Sequence, residues 1–542
     1  MQRQSIPALT MALGSTIVLA LLGGCTSVTP PAEPVDVVIS GGTVYDGSGG
    51  EPYLGDVAMR GDRIVYVGPQ RDLAARRTID ARGMIVAPGF IDPHTHAEVF
   101  LNSPDPEQRV NAAWLAQGVS TVMIGVDGGG SPDIAQAADR LETGGIGTNA
   151  VPFVGFGAVR SRVMGEEDRT PSGAELAAMK ELVAQAMCDG GRGFSTGLFY
   201  APQSFAETGE VIEIAREAAI RGGIYDTHQR DESSYSIGLL ASVAEVIRIG
   251  RETGMPVHIA HIKALGVDVQ GQAPAVIAMV EKARAQGIEV TADQYPWLAS
   301  GTSLEASLLP PWALDGGNDA LRLRLAQPDE RARMKADMAE NLRRRGGASA
   351  MLLTSPDLAW TGKTLAQMAD LQGGNAVDTA LAIIARSLEH GGGQTNVASF
   401  NMAHSDVDLF MRQPWVVTAS DGSNGHPRMY ATYPEKYDAY VLDRRTIDLG
   451  NFIRQSTGKV ADIYGIEERG YLKSGYFADV LVFDPGGYAP RADYLNPREL
   501  ATGVTALFVN GALAVENSNP TGTTAGRVLL RPAPANCQVR PR

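Results

Sequence analysis

Between residues 85 and 421, eight short apolar runs alternate with longer polar or helical stretches, and this alternation is what most constrains the chain. The runs are "IVAPGFIDPHTH", "VSTVMIGVD", "AVPFVGFG", "GRGFSTGLFY", "GGIYDTH", "MPVHIAHIK", "GIEVTADQY" and "PWVVTASD". Stretches such as "SGAELAAMKELVAQAM" and "APAVIAMVEKARAQG" have the period of amphipathic helices. Eight strand–helix units predict an α/β fold, a (β/α)8 TIM-like barrel, which carries its reactive groups at the C-terminal ends of its strands. A doubly wound sheet is the alternative, but no G-x-G-x-x-G opens a helix after the first strand. The barrel is expected over residues 88–471, with a largely helical insertion at about 310–397 before the last strand.

Both flanks have a different texture. "VDVVISGGTVYDG", "GDVAMRGDRIVYVG" and "RTIDARGMIVAPG" are short β-rich runs broken by Gly and Asp turns, and "GYFADVLVFDP" and "GVTALFVNGALAV" repeat the pattern near the other end. One small β-sandwich built from residues 35–87 and 472–532 accounts for both; two unconnected β-modules also fit.

The first 25 residues read as a targeting segment: an early Arg, an apolar stretch and a small-residue end. Leu22-Gly23-Gly24-Cys25 resembles the bacterial lipoprotein signal, which makes Cys25 the lipidated first residue of the mature chain and residues 26–34 a tether. The expected location is the bacterial periplasm or outer membrane, with membrane contact through the N-terminal lipid. An ordinary secretory signal or an uncleaved anchor helix is the competing reading. Cys188 and Cys537 are the other two cysteines, too few for a disulfide-built chain, and the sequence leaves their pairing open.

Polar residues stand directly behind the apolar runs: His94 and His96, Asp127, His228, His261 and Asp421. Any one of them alone could be a structural hydrogen-bonder. In an extended segment residues i and i+2 share a side, so His94 and His96 can converge on one point and supply half of a zinc site. His258, three before His261, falls on the opposite face and reads as structural; His390 and His404 receive no role. Arg230, Lys263 and Arg428 are the cations near these ends, with Tyr200 closing "STGLFY". They suit a free carboxylate, although Arg230 and Lys263 could instead pair with Asp231 and Glu232. A formal net charge of −14 argues against nucleic acid as a partner.

The ordered series "PGFIDPHTHAE", "QGVSTVMIGVDG", "GFSTGLFYAP", "YDTHQRDE", "HIAHIK", "TADQYPW" and "VTASDGSNGHPR" resembles the amidohydrolase superfamily, and within it the D-aminoacylase (N-acyl-D-amino-acid deacylase) group. The resemblance implies a zinc-bearing barrel joined to a small β-sandwich. It implies a metal-dependent hydrolase that cleaves the amide bond of N-acyl-D-amino acids, releasing a D-amino acid and a carboxylate. Zn2+, one or two ions, would be held by His94, His96, Asp127, His228 and His261, with Asp421 as the catalytic base. By the same resemblance Tyr200, Lys263 and Arg428 hold the α-carboxylate of a small-molecule substrate, an N-acyl amino acid or a dipeptide.

One departure bears on the metal. The group carries a Cys in "GNCG" where this chain has "GVDG", placing Asp127, a harder donor, at that position. The carboxylated lysine of cyclic-amide hydrolases would stand at the end of strand 4, yet Lys180, mid-helix, is the only lysine between Ser120 and His228. Rival readings are a dipeptidase acting on a C-terminal D-residue, a cyclic-amide hydrolase and a non-catalytic metal-binding lipoprotein. Side-chain preference, acyl group and oligomeric state are not legible in the sequence.

Overall fold

The computed structural model describes residues 34–537; Cys25, the targeting segment expected to end there and all but the last residue of the expected 26–34 tether lie outside the described residues. Among the described residues no helix is long and apolar enough to cross a membrane.

The eight apolar runs form eight parallel barrel strands: Phe90–Asp92, Val119–Ile124, Asn149–Pro152 continuing as Val154–Gly155, Gly193–Gly197, Ile224–His228, Val257–Ile259, Val290–Gln294 and Val416–Thr418. The third strand is split at the buried Phe153; its first piece pairs with the second strand and its second piece with the fourth. The ladder thus runs in two arcs, and it does not close between the first and eighth strands. Beyond the ends of those two strands, Asp421 N donates to His94 O at 2.9 Å and His96 N to Gly422 O at 3.1 Å. These two bonds lash together the segments that carry the histidine pair and Asp421.

Strands buried on both faces read as unbroken apolar runs because helices cover the outside of a parallel barrel. The helix Leu239–Thr253 shows the other half of the rule. Leu239, Val243, Val246, Ile247 and Ile249 are buried against the barrel, and Gly254 ends the helix in a left-handed conformation. Gly173–Cys188 starts in a capping box between Ser172 and Glu175, a device worth about 1 kcal/mol that Ser172→Ala would remove.

The two β-rich flanks share one nine-stranded sheet. Its seam pairs Ile85–Pro88 antiparallel with Val480–Phe483, so a strand just before the barrel is bonded to one just after it. Val57 and Met59 from one flank and Val480 and Phe508 from the other pack in one core cluster. At the barrel floor Asn149 donates to Asp479 at 3.2 Å and accepts from Asn510 at 2.8 Å, fixing this sheet to the third strand.

Between the seventh and eighth strands lie five helices of eight residues or more, Gly317–Ala326, Pro328–Arg344, Leu365–Gln372, Ala376–Glu389 and His404–Met411. With them is a three-stranded sheet of Ala299–Ser303, Asn396–Phe400 and Met351–Leu353. This region has its own apolar core, including Leu304, Met334, Met338, Leu353 and Ile384. After the last β-strand the chain passes back beneath the barrel, where Leu529 N donates to Ala150 O and Arg531 N to Gly190 O. There Cys537 forms a disulfide with Cys188.

Candidate active site

His94 and His96 follow the first strand, Asp127 the second, His261 the sixth and Asp421 the eighth, while His228 is the last residue of the fifth. All therefore lie at one end of the barrel. Asp127, His261 and Asp421 have positive φ, at 53°, 34° and 47°. Non-glycine residues rarely adopt this conformation, and it concentrates at functional sites. Here it turns each side chain inward just as its strand ends.

The donor atoms converge. His94 Nε2 lies 3.3 Å from Asp127 Oδ1 and 3.9 Å from Asp421 Oδ1; His96 Nε2 lies 3.6 Å from Asp127 Oδ2 and 3.4 Å from Asp421 Oδ1. His261 Nε2 is 3.8 Å from Asp127 Oδ1. Asp127 thus faces His94 and His261 with one oxygen and His96 with the other. Within 4.8 Å of one another stand donor atoms of His94, His96 and Asp421, of His94, Asp127 and His261, and of His228, Glu232 and His261. Both ring nitrogens of His94, Asp127 Oδ1 and His228 Nδ1 are buried without a hydrogen-bond partner. Buried polar atoms are rarely left so. Imidazoles and carboxylates converging with orphaned donor atoms fit a divalent metal such as zinc.

Protonation follows the surroundings. Burial pushes His228 down to about 3, only partly offset by Glu232, so its imidazole is in the neutral form that ligates. Burial raises the Asp421 carboxyl, but Arg428 first and then His261 outweigh it and hold it well below the usual carboxylate range. His426 is held well below its ordinary value by burial and Arg428.

Glu232, to which the sequence reading gave no role at the metal, orients this centre. Its Oε1 lies 3.0 Å from His261 Nδ1 and 2.6 Å from Lys263 Nζ. Lys263 Nζ also lies 2.6 Å from His261 Nδ1; in the tautomer that donates Nδ1–H to Glu232, His261 presents Nε2 toward Asp127, the usual arrangement behind a ligating histidine. His258 sits beneath the site, buried between Thr291 and Asp293, and Asp293 also accepts from the backbone N–H of His261.

A cavity of about 360 Å³ opens onto the cluster and is lined by Tyr200, Lys263, Tyr295, Arg345 and Arg428 among others. Lys263 is paired with Glu232, the acid its neighbourhood offered, yet still borders the cavity. The structure does not bring Arg230 there: its guanidinium bonds Glu245 at 2.9 Å and the carbonyl of Ser204, and it faces a neighbouring cavity. Its local acid is thus supplied by the following helix rather than by Asp231 or Glu232. Tyr295, Arg345 and His426 also border the cavity without having been singled out. Tyr295 and His426 stood inside quoted stretches, "TADQYPW" and "GHPR"; nothing in the sequence around Arg345 marked it.

The amidohydrolase family model matches residues 77–312. A D-aminoacylase from Alcaligenes xylosoxydans xylosoxydans is 32% identical over 93% of this chain and 99% of its own length. The chain belongs to the D-aminoacylase group of amidohydrolases. A solved D-aminoacylase, described by a binuclear metal centre with one-metal activation and second-metal attenuation, covers 92% of this chain and 100% of its own at 31% identity and TM-score 0.76. The N-acyl-D-glutamate deacylase from Bordetella bronchiseptica, solved with zinc and a phosphonate mimic of the tetrahedral intermediate, gives 28% identity and TM-score 0.77 over the same shares. The cluster at the strand ends is the candidate active site of such an enzyme.

Proposed function

We propose that the chain is a zinc-dependent deacylase that cleaves the amide bond of N-acyl-D-amino acids. The observation that carries this is Asp421, set 3.4 Å from His96 and 2.7 Å from Arg428 at the mouth of the histidine cluster. His94, His96, Asp127, His228 and His261 would hold the metal. When bound, zinc supplies a Lewis acid for the scissile carbonyl and lowers the pKa of water. Asp421, kept ionised by Arg428, accepts a proton from the attacking water and returns it to the leaving nitrogen.

Tyr295 supports a carboxylate subsite. Its buried hydroxyl has no hydrogen-bond partner, and its ring lies 5.5 Å from Lys263 Nζ and 5.1 Å from the Arg428 guanidinium carbon. Arg428 Nε is likewise buried and unpartnered. Lys263, Tyr295 and Arg428 together suit a free α-carboxylate, with the Tyr200 ring tilted against His228 at 4.7 Å between centroids. The D preference rests on the relatives, named as a D-aminoacylase and as N-acyl-D-glutamate and N-acyl-D-aspartate deacylases. A cyclic-amide reading lacks support: the fourth strand ends at Gly197 and is followed by Leu198, Phe199 and Tyr200, with no lysine. Product analysis of the zinc-loaded protein on paired N-acyl-D- and N-acyl-L-amino acids tests the assignment. Release of the free D-amino acid is expected; preference for L-substrates or hydantoins would refute it.

Export and anchoring through lipidated Cys25 are part of this reading. The stretch Leu22 to Cys25 and the Cys188–Cys537 disulfide, which suits an oxidising compartment, support it. Mass spectrometry of the mature N-terminus is expected to show an acylated Cys25; an unmodified chain, or one retaining Met1, would refute it.

A further inference from the structure

Arg345, the residue capping the helix Pro328–Arg344, is 2% exposed and borders the active-site cavity. Other buried arginines meet a carboxylate: Arg160 meets Glu210, Arg428 meets Asp421 and Arg469 meets Asp479. Arg192 does not, but it donates to the carbonyls of Tyr464 and Gly465 near the barrel floor, away from the site. No carboxylate of the described residues comes within 4.0 Å of the Arg345 guanidinium. Its Nε donates to the Tyr235 hydroxyl and its Nη1 to Ser300 Oγ at 3.2 Å, leaving Nη2 without a protein acceptor among the described residues. Two neutral hydroxyls orient this cation without neutralising it, and a buried charge is costly unless an opposite charge joins it.

The position identifies what would join it. Ser300, which Arg345 touches, precedes Gly301, whose carbonyl accepts from Arg428. Tyr235 packs on Phe199 at 5.4 Å between rings, and Phe199 on His228 at 5.6 Å. Arg345 therefore stands on the wall of the same cavity as Lys263, Tyr295 and Arg428, one residue along the strand from the Arg428 contact and in no hydrogen bond, ion pair or cation–π contact with any of the three, and a planar guanidinium matches a carboxylate in geometry. We propose that Arg345 is a specificity-determining residue that binds a second carboxylate of the substrate, in addition to the α-carboxylate. This deepens the deacylase reading above and rests on it. The second carboxylate comes either from an acidic side chain on the D-amino acid or from a dicarboxylic acyl group.

The test compares kcat/KM of the zinc-loaded enzyme on N-acetyl-D-glutamate, N-succinyl-D-leucine and N-acetyl-D-leucine. One of the two dicarboxylates is expected to be favoured over N-acetyl-D-leucine by about 10- to 100-fold, the scale of one charge-assisted contact; which one identifies the source. Arg345→Met is expected to erase most of that ratio and Arg345→Lys to keep part of it. The proposal is overturned if the wild type handles N-acetyl-D-leucine as well as both dicarboxylates, a comparison that stands even if a variant fails to fold. An equal loss on all three substrates in Arg345→Met would overturn it too. Failure of the wild type on all three would instead bring down the deacylase reading, and this inference with it.

Discussion

Asp421 turns one carboxylate oxygen to Arg428 Nη1 at 2.7 Å and the other to His96 Nε2 at 3.4 Å. The guanidinium and the imidazoles therefore grip opposite oxygens, which fixes the plane of the carboxylate as well as its charge. A base held this way is ionised and pre-oriented, and its removal should affect the chemical step.

Asp421→Asn keeps the shape and loses the base. Its kcat is expected to fall by about 10²- to 10⁴-fold with zinc content unchanged. Steady-state kinetics with elemental analysis of the same preparation checks both halves. Turnover near that of the wild type would remove Asp421 from the mechanism.

Asp127 faces three histidines, so its loss should register in the metal before it registers in the fold. Because its φ is 53°, the cleaner variant is Asp127→Asn, which tolerates the left-handed conformation and gives up the negative charge. Zinc affinity is expected to weaken by about 10- to 100-fold or more, with activity falling in parallel and partly restored by added zinc. Competition with a chromogenic chelator measures it; unchanged affinity and rate would make Asp127 a bystander.

The parts of this site legible in the sequence were those carried by short-range pattern. His94, His96, His228 and His261 each follow an apolar run, and the period of strands fixes the end of the barrel at which they emerge. Glu232 was quoted as a partner for cations, but its hold on His261 depends on the packing of the fifth and sixth strands. Arg345 was invisible because it enters from the helical region between the seventh and eighth strands, over a hundred positions from Tyr235. Arg230 misled for the converse reason: Glu245, which captures it, lies on the next helix, 15 residues away. The pairing of Cys188 with Cys537 spans 349 residues, and no local pattern reports it.

That disulfide holds the returning C-terminal segment against the helix that ends at Cys188. Cys188→Ser is expected to cost about 2–5 kcal/mol of stability and to leave the chain beyond Ala525 open to cleavage. Limited proteolysis followed by mass spectrometry, with and without reductant, reads this directly. Equal resistance of the oxidised and reduced protein would show that the backbone bonds to Ala150 and Gly190 suffice.

Lys436 opens the π-helical stretch Lys436–Asp443, is fully buried, and donates to Thr418 at 2.8 Å and Gln455 at 3.1 Å. Burial pushes its ammonium down to about 7, whereas the unfolded chain titrates near ~10.4. Below pH 7 both states are charged and the folded state bears the full cost of burying the charge. Between about pH 7 and 10 the unfolded chain holds a proton that the folded one has released, so this group makes stability rise with pH. Lys436→Met abolishes that dependence, although it leaves Thr418 and Gln455 short of a donor at every pH. The Tm difference, variant minus wild type, is therefore expected to be more positive at pH 6 than at pH 10, by on the order of 5 °C. Scanning calorimetry of both proteins at equal zinc loading decides it. A difference independent of pH, or one that grows toward alkaline pH, would show that Lys436 titrates as an ordinary surface lysine.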